Sequence, residues 1–354
     1  MGLLDTIFNR ESKLLERAKK GLSRVDSLET SGKHAEALAE LEKTAALLKE
    51  DDLFIGKMKR DFSIIWSSLG SKALKFDKAE MALRAAKDSL RLDPKNARGM
   101  KVEGLASLKL GMTNDALASM LNAVNTSPDS EDLWASLGDV QEALGDVNGA
   151  KGSYNRALTI NPLGVKYLDK MLAHDPNDVG LIKRRAEALA KLNRHDESVK
   201  EYEHGIKLAP KDRELWIGKA AALNSAGKAE EAIASLKSAL KLDPEDVYCL
   251  DNIGRIFLRL GKREDALKFF TKASELDQGN KTVWNELGIV QEELNMNEQA
   301  LDSFERALRI DPKDIIVLVN MKKTLMKVKR YKEAAEVCGR ILLIDPHNHE
   351  ALLD

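Results

Sequence analysis

Cysteine is almost missing from this chain of 354 residues. Cys249 and Cys338 lie far apart, with no CxxC and no Cys/His spacing, so neither a disulfide framework nor a zinc site has its ligands. A reducing compartment fits, and we expect a cytoplasmic protein. Charge of one sign is lacking too. Lys plus Arg (56) nearly cancels Asp plus Glu (57), leaving no overall field to draw nucleic acid or an anionic membrane, and neither is expected as a partner. There is no long hydrophobic run: Asp5 and Arg10 interrupt Leu3, Leu4, Ile7 and Phe8, so the start reads neither as a signal peptide nor as a bilayer span. The six histidines, His34, His174, His195, His204, His347 and His349, scatter. No nucleophile and base, phosphate-cradling glycine loop or metal-ligand group stands out, so neither catalysis nor a cofactor nor a metal is expected.

Aromatics make up 5% and proline only 8 residues, yet both fall in strict order. Pro94, Pro128 and Pro162 are 34 apart, and so are Pro176, Pro210 and Pro244; Gln278 takes the next slot before Pro312 and Pro346. The tryptophans keep the same beat, Trp66 to Trp134 and Trp216 to Trp284 each spanning 68 residues. Within 281–314 the order is Trp284, Leu287-Gly288, a break at Asn295, then Ala300, Phe304, Ala307 and Pro312. Apolar spacings of three and four on either side of the break describe two amphipathic helices joined by a tight turn. A hairpin this short cannot bury its own apolar faces and needs a neighbour of its own kind on each side.

This period and these residues resemble the tetratricopeptide repeat (TPR) family. The expected fold is all-α, a right-handed superhelical solenoid of about nine hairpins with one extra single helix in mid-chain. Residues 1–17 read as an amphipathic helix or arm. Residues 18–162 form a first block, whose first repeat, 18–51, is degenerate with Gly21 in the tryptophan slot; 52–62 extend a helix into the second repeat. The phase breaks between Pro162 and Pro176, where LGVKYLDKMLAHDP aligns with the second half of a repeat, so a lone helix is expected over 163–178 with its first helix missing. A second block covers 179–346. Residues 347–354 look like a truncated helical tail, which suggests an exposed end with a weak tendency to self-associate. The eighth residue of most repeats is glycine or alanine, which lets paired helices approach closely, and Lys322 is the large exception. The tryptophans, like Tyr154, Tyr202, Phe270 and Phe304, are expected in the core.

The resemblance also implies that first helices line a groove, with residues 2, 5, 6, 9, 12 and 13 of each repeat facing a bound peptide. Carried over, the candidates are Arg98, Lys101, Asp139, Lys183, Arg184, Asn252, Arg255, Asn285, Asn320 and Lys323. Asn252 and Asn320 share the sixth position, where an amide can both donate to and accept from a peptide backbone. The carboxylate clamp of chaperone-tail binders is not spelled out in any three successive repeats. The function expected is a non-catalytic scaffold that binds an extended or helical segment of another protein. The alternatives are a membrane-peripheral assembly factor held by its first helix, and the repeat arm of a larger enzyme.

Overall fold

The structure is a computed structural model and describes residues 3–49 and 58–352, with side chains from 9 to 49 and 58 to 351. The described residues are helices and short turns, without strands. They form two compact bodies, Met1–Pro176 and Asn177–Asp354. In the N-terminal body α1 (Leu3–Thr30) pairs with α2 (His34–Lys49), α3 (Lys59–Lys75) with α4 (Ala79–Leu92), α5 (Ala97–Lys109) with α6 (Thr113–Thr126), and α7 (Glu131–Ala143) with α8 (Val147–Ile160). A single helix, α9 (Val165–His174), follows. The C-terminal body pairs α10 (Val179–Lys191) with α11 (His195–Leu208), α12 (Arg213–Ser225) with α13 (Ala229–Leu242), α14 (Val247–Arg259) with α15 (Arg263–Leu276), α16 (Lys281–Glu293) with α17 (Asn297–Ile310), and α18 (Ile315–Lys327) with α19 (Tyr331–Ile344). The short α20 (His349–Leu352) packs on α19. Among the described residues there are nine hairpins and one unpaired mid-chain helix, in keeping with the 34-residue period and its one break.

The turns explain the period. Each hairpin closes on a residue in the left-handed region at one fixed position: Gly32, Gly111, Gly145, Gly227 and Gly261, or Asn193 and Asn295, with Asp77 and Lys329 taking the same conformation without the usual residue types. Between hairpins, proline blocks continuation of the second helix. An Asp or Asn shortly after it then starts the next first helix. The side chains of Asn96, Asp178, Asp212, Asp246, Asn280 and Asp314 each accept from a backbone N–H two or three residues on. Trp134, Trp216 and Trp284 tie the same junction, their indole N–H groups donating to the carbonyls of Pro128 (2.7 Å), Pro210 (3.1 Å) and Gln278 (3.0 Å). Gln278 replaces proline without loss of that bond because the acceptor is the main chain. Trp66 and Trp284 are buried, whereas Trp134 and Trp216 are half-buried with the polar edge of the ring at the junction.

Small residues and large ones fit together across each hairpin. A Cβ on Gly138 would lie 2.5 Å from the Tyr154 ring, on Gly254 2.8 Å from Phe270, and on Gly288 2.6 Å from Phe304. The aromatics lie against bare backbone, which is why the eighth residue is small. In the C-terminal body this seam belongs to one continuous core running from Ala186 to Ala351. Lys322 is buried at the exceptional eighth position, and its Nζ donates to the carbonyl of Glu350 in α20, 2.5 Å away.

Two expectations are corrected. The arm 1–17 is not separate: α1 runs unbroken through Thr30, and Leu14, Leu15, Ala18, Leu22 and Val25 lie on its buried side. Most of 52–62 lies outside the described residues; within them α3 begins at Lys59 with Met58 before it. The second correction concerns α9. Counted from Pro162, Tyr167, Leu168 and Met171 fall at the third, fourth and seventh positions of a first helix, where Val283, Trp284 and Leu287 of α16 are buried, and all three are buried, as is Val165. Its polar side engages α7, the preceding first helix: Tyr167 Oη donates to Glu131 (2.6 Å), Lys170 Nζ donates to Asp139 (2.7 Å) and Glu142 (3.2 Å), and His174 Nε2 meets Glu142 (2.7 Å). The α9 helix therefore stands as a first helix whose second helix is missing, the reverse of the spacing argument from Pro176.

Candidate interaction face

First helices of successive repeats lie side by side within each body, and their shared face carries the candidate residues. Much of the charge on that face is used to join one first helix to the next. In the N-terminal body Lys101 of α5 meets Asp132 of α7 at 2.5 Å. Arg98 is exposed beside it and lines, with Lys101, Leu74 and Leu133, a cleft of about 590 Å³. Asp139 accepts from both Lys170 and the Tyr154 hydroxyl (2.8 Å). Tyr154 stacks on Tyr167 with ring centres 6.1 Å apart. The Tyr154 hydroxyl pKa is raised by burial and by the Glu142 and Asp139 carboxylates that accept its hydrogen bond, so it remains a donor at neutral pH. Glu142 lies below the ordinary carboxylate value: burial pushes it up, but bonds from His174, Tyr154 and Lys170 outweigh that. The acidic patch of the fourth repeat is thus engaged by the chain's own α9.

In the C-terminal body the ladder continues. Lys183 of α10 pairs with Glu214 of α12, and Arg259 of α14 donates to Asn224 of α12. Arg255 of α14 bridges its own Asp251 (3.0 Å) and Glu286 of α16 (3.5 Å). Both carboxyl groups are pushed up by burial, with Arg255 pulling each back toward the charged form. Asn320 Nδ2 of α18 donates to Asn285 Oδ1 of α16 at 3.0 Å, and Lys327 Nζ reaches Glu292 Oε1 at 2.7 Å. Asn252 donates to the carbonyl of Tyr248, one turn back in its own helix, at 2.8 Å. Arg184 and Lys323 are exposed.

Each of the three asparagines therefore spends one valence within the fold: Asn320 and Asn252 keep an amide oxygen, and Asn285 keeps its NH₂ group. Two apolar residues not named from sequence share this face. Tyr248 and Ile316 are 57% and 69% exposed at the second position of α14 and α18. Counting positions from the prolines could have found them, since the second position was already among those expected to face a ligand.

Tetratricopeptide repeat family models match residues 131–162 and 183–247, taking in α7 and α8 and the hairpin of α10 and α11 with the helices that follow. The chain is a tetratricopeptide repeat protein. Another family model, the CABIN1 N-terminal domain, matches residues 219–353, so the last hairpins of this TPR protein are similar to that domain. No curated protein matches its sequence. Among solved structures, a chain in the crystal structure of the APC/C hetero-tetramer Cut9-Hcn1 is similar over 88% of this TPR protein at 16% identity and a TM-score of 0.40. The match spans 58% of that chain.

No described helix is long and apolar enough to cross a membrane. Cys249 is buried, and burial together with the nearby Asp246 carboxylate pushes its thiol up to about 12, so it stays protonated.

Proposed function

We propose that the protein is a non-catalytic scaffold whose first-helix face in the C-terminal body binds a segment of another protein. The observation that carries this reading is the run of half-spent amides, Asn252, Asn285 and Asn320, beside exposed Tyr248 and Ile316. Amides that keep one free donor or acceptor can take the backbone of a bound segment, and an exposed aromatic and an exposed aliphatic side chain provide apolar anchors. The charged ladder sets the spacing of the helices that present these groups; Arg184 and Lys323, exposed on the same face, add selectivity more than affinity. The remaining candidates, Arg98 and Lys101 in the N-terminal body, flank the cleft by α5 and α7 and offer a second contact region.

The test is capture with the whole chain as bait, wild type against Asn252→Ala/Asn320→Ala and Tyr248→Ala/Ile316→Ala, with bound proteins quantified by mass spectrometry. A partner held on this face is retained by wild type and lost from both double variants. Equal retention of every partner by all three chains would sink the proposal.

The membrane-peripheral alternative is weakened by α1, whose described apolar residues are spent in the core. Leu3, Leu4, Ile7 and Phe8, on which that alternative also drew, lie outside the described side chains.

A further inference from the structure

One charged surface lies apart from the first-helix face. On α1, Arg10, Lys13, Arg17, Lys20 and Arg24 follow one another at spacings of three and four, so they stand in a single row, roughly 21 Å from first to last at the helical rise. All five are exposed, and no acidic residue interrupts the row. Several cations of other first helices are engaged by a neighbour, as Lys101 is by Asp132 and Lys281 by Asp311 and Asp314. Lys13, Arg17, Lys20 and Arg24 have no ion partner among the described residues. The row borders a cleft of about 410 Å³ between α1 and α2, where Lys43 adds a further cation and Gly21 and Thr44 meet closely at the floor. The one carboxylate of that cleft, Glu40, already faces Lys43 at 4.0 Å.

The position of the row says what shape would fill it. Lys20 is the third residue of its repeat. The third residue of the α5 repeat, Gly99, packs on Ser89 and Leu90 of the preceding second helix. The row on α1 therefore marks the side on which a preceding second helix would lie. An exposed helix side needs polar residues to stay in water, but mixed charges would serve that need, and these are of one sign. We propose that this edge binds an acidic helical segment of a partner protein, its carboxylates at three- and four-residue spacing running along the cation row in the place of a preceding second helix. Leu14, Leu15, Ala18, Leu22 and Val25, on the described apolar side of α1, are held in the core, which disfavours a membrane surface. No aromatic residue stands in the row to stack on a base, which disfavours single-stranded nucleic acid. The proposal is independent of the asparagine face in the C-terminal body.

The test uses the whole chain and a fluorescein-labelled helical peptide of about 18 residues with glutamates in a three-and-four repeat, followed by anisotropy. Wild type is expected to bind saturably and to weaken with added salt. Arg17→Glu/Lys20→Glu/Arg24→Glu is expected to bind about tenfold or more weakly. A reversal of equal size at exposed Arg84, Lys268 and Arg309 is expected to stay within about twofold of wild type. Circular dichroism checks each variant; should the glutamate variant lose helix, Arg17→Gln/Lys20→Gln/Arg24→Gln takes its place and must show the same loss. Equal loss in the row and control variants would overturn the proposal, as would wild type ignoring the peptide while binding phosphatidylserine vesicles or duplex DNA.

Discussion

Single residues decide how closely each pair of helices meets. Gly288 leaves room for Phe304, and a side chain there would have to displace a ring that is 1% exposed in a filled core. Gly288→Val is therefore expected to destabilise the C-terminal body by about 2–3 kcal/mol, read from the urea midpoint, because a buried ring against backbone has nowhere to retreat. Lys329 is strained in another way, holding a φ of 62° at the turn where Asn193 and Asn295 hold the same conformation. Lys329→Asn should stabilise the last hairpin by about 0.5 kcal/mol, since asparagine tolerates the left-handed region without glycine's freedom in the unfolded chain. At this scale much was legible, because a repeated position reports its own constraint several times over. Positions that occur once were not. Nothing in the spacing says that Lys322 reaches α20.

The helix that most rewards study is α9. Its ends belong to different halves of a repeat, an entry like a first helix after Pro162 and an exit like a second helix before Pro176, so sequence phase alone supports either assignment. Contacts resolve it, and contacts between side chains 28 to 36 residues apart cannot be read from local pattern. The polar clasp on α7 should be sensitive to acid. Glu142 titrates below its ordinary value of about 4.5 in the folded state. A depressed carboxylate contributes stability that is full above its unfolded pKa and lost as pH falls through the folded one. Amide protection in α9 is thus expected to fall below about pH 4.5, while protection in α5 and α6 changes less. Lys170→Met, which removes the cation shared by Asp139 and Glu142, should lower α9 protection already at neutral pH and flatten that acid dependence. Unchanged α9 protection in this variant would mean that the clasp is incidental to the helix.

Within each body, stability is a sum of hairpins and the seams between them, and neighbours in sequence are neighbours in space. This made the fold readable from eight prolines, four tryptophans and a line of small residues. The interaction face was readable only in part. Its positions follow from the period, but whether a charge there is spent on the next helix or left for a partner depends on side-chain reach, and Lys101, Lys183 and Asp139 proved to be engaged within the fold. The central claim is that each hairpin is supported by its immediate neighbours and by little else. Hydrogen exchange with mass spectrometry on the Gly288→Val chain tests it most directly. The account predicts lost protection in α16 and α17, a smaller loss in α14, α15, α18 and α19, and none in α10 and α11; a uniform loss across the chain, or one confined to the turn at Asn295, would contradict it.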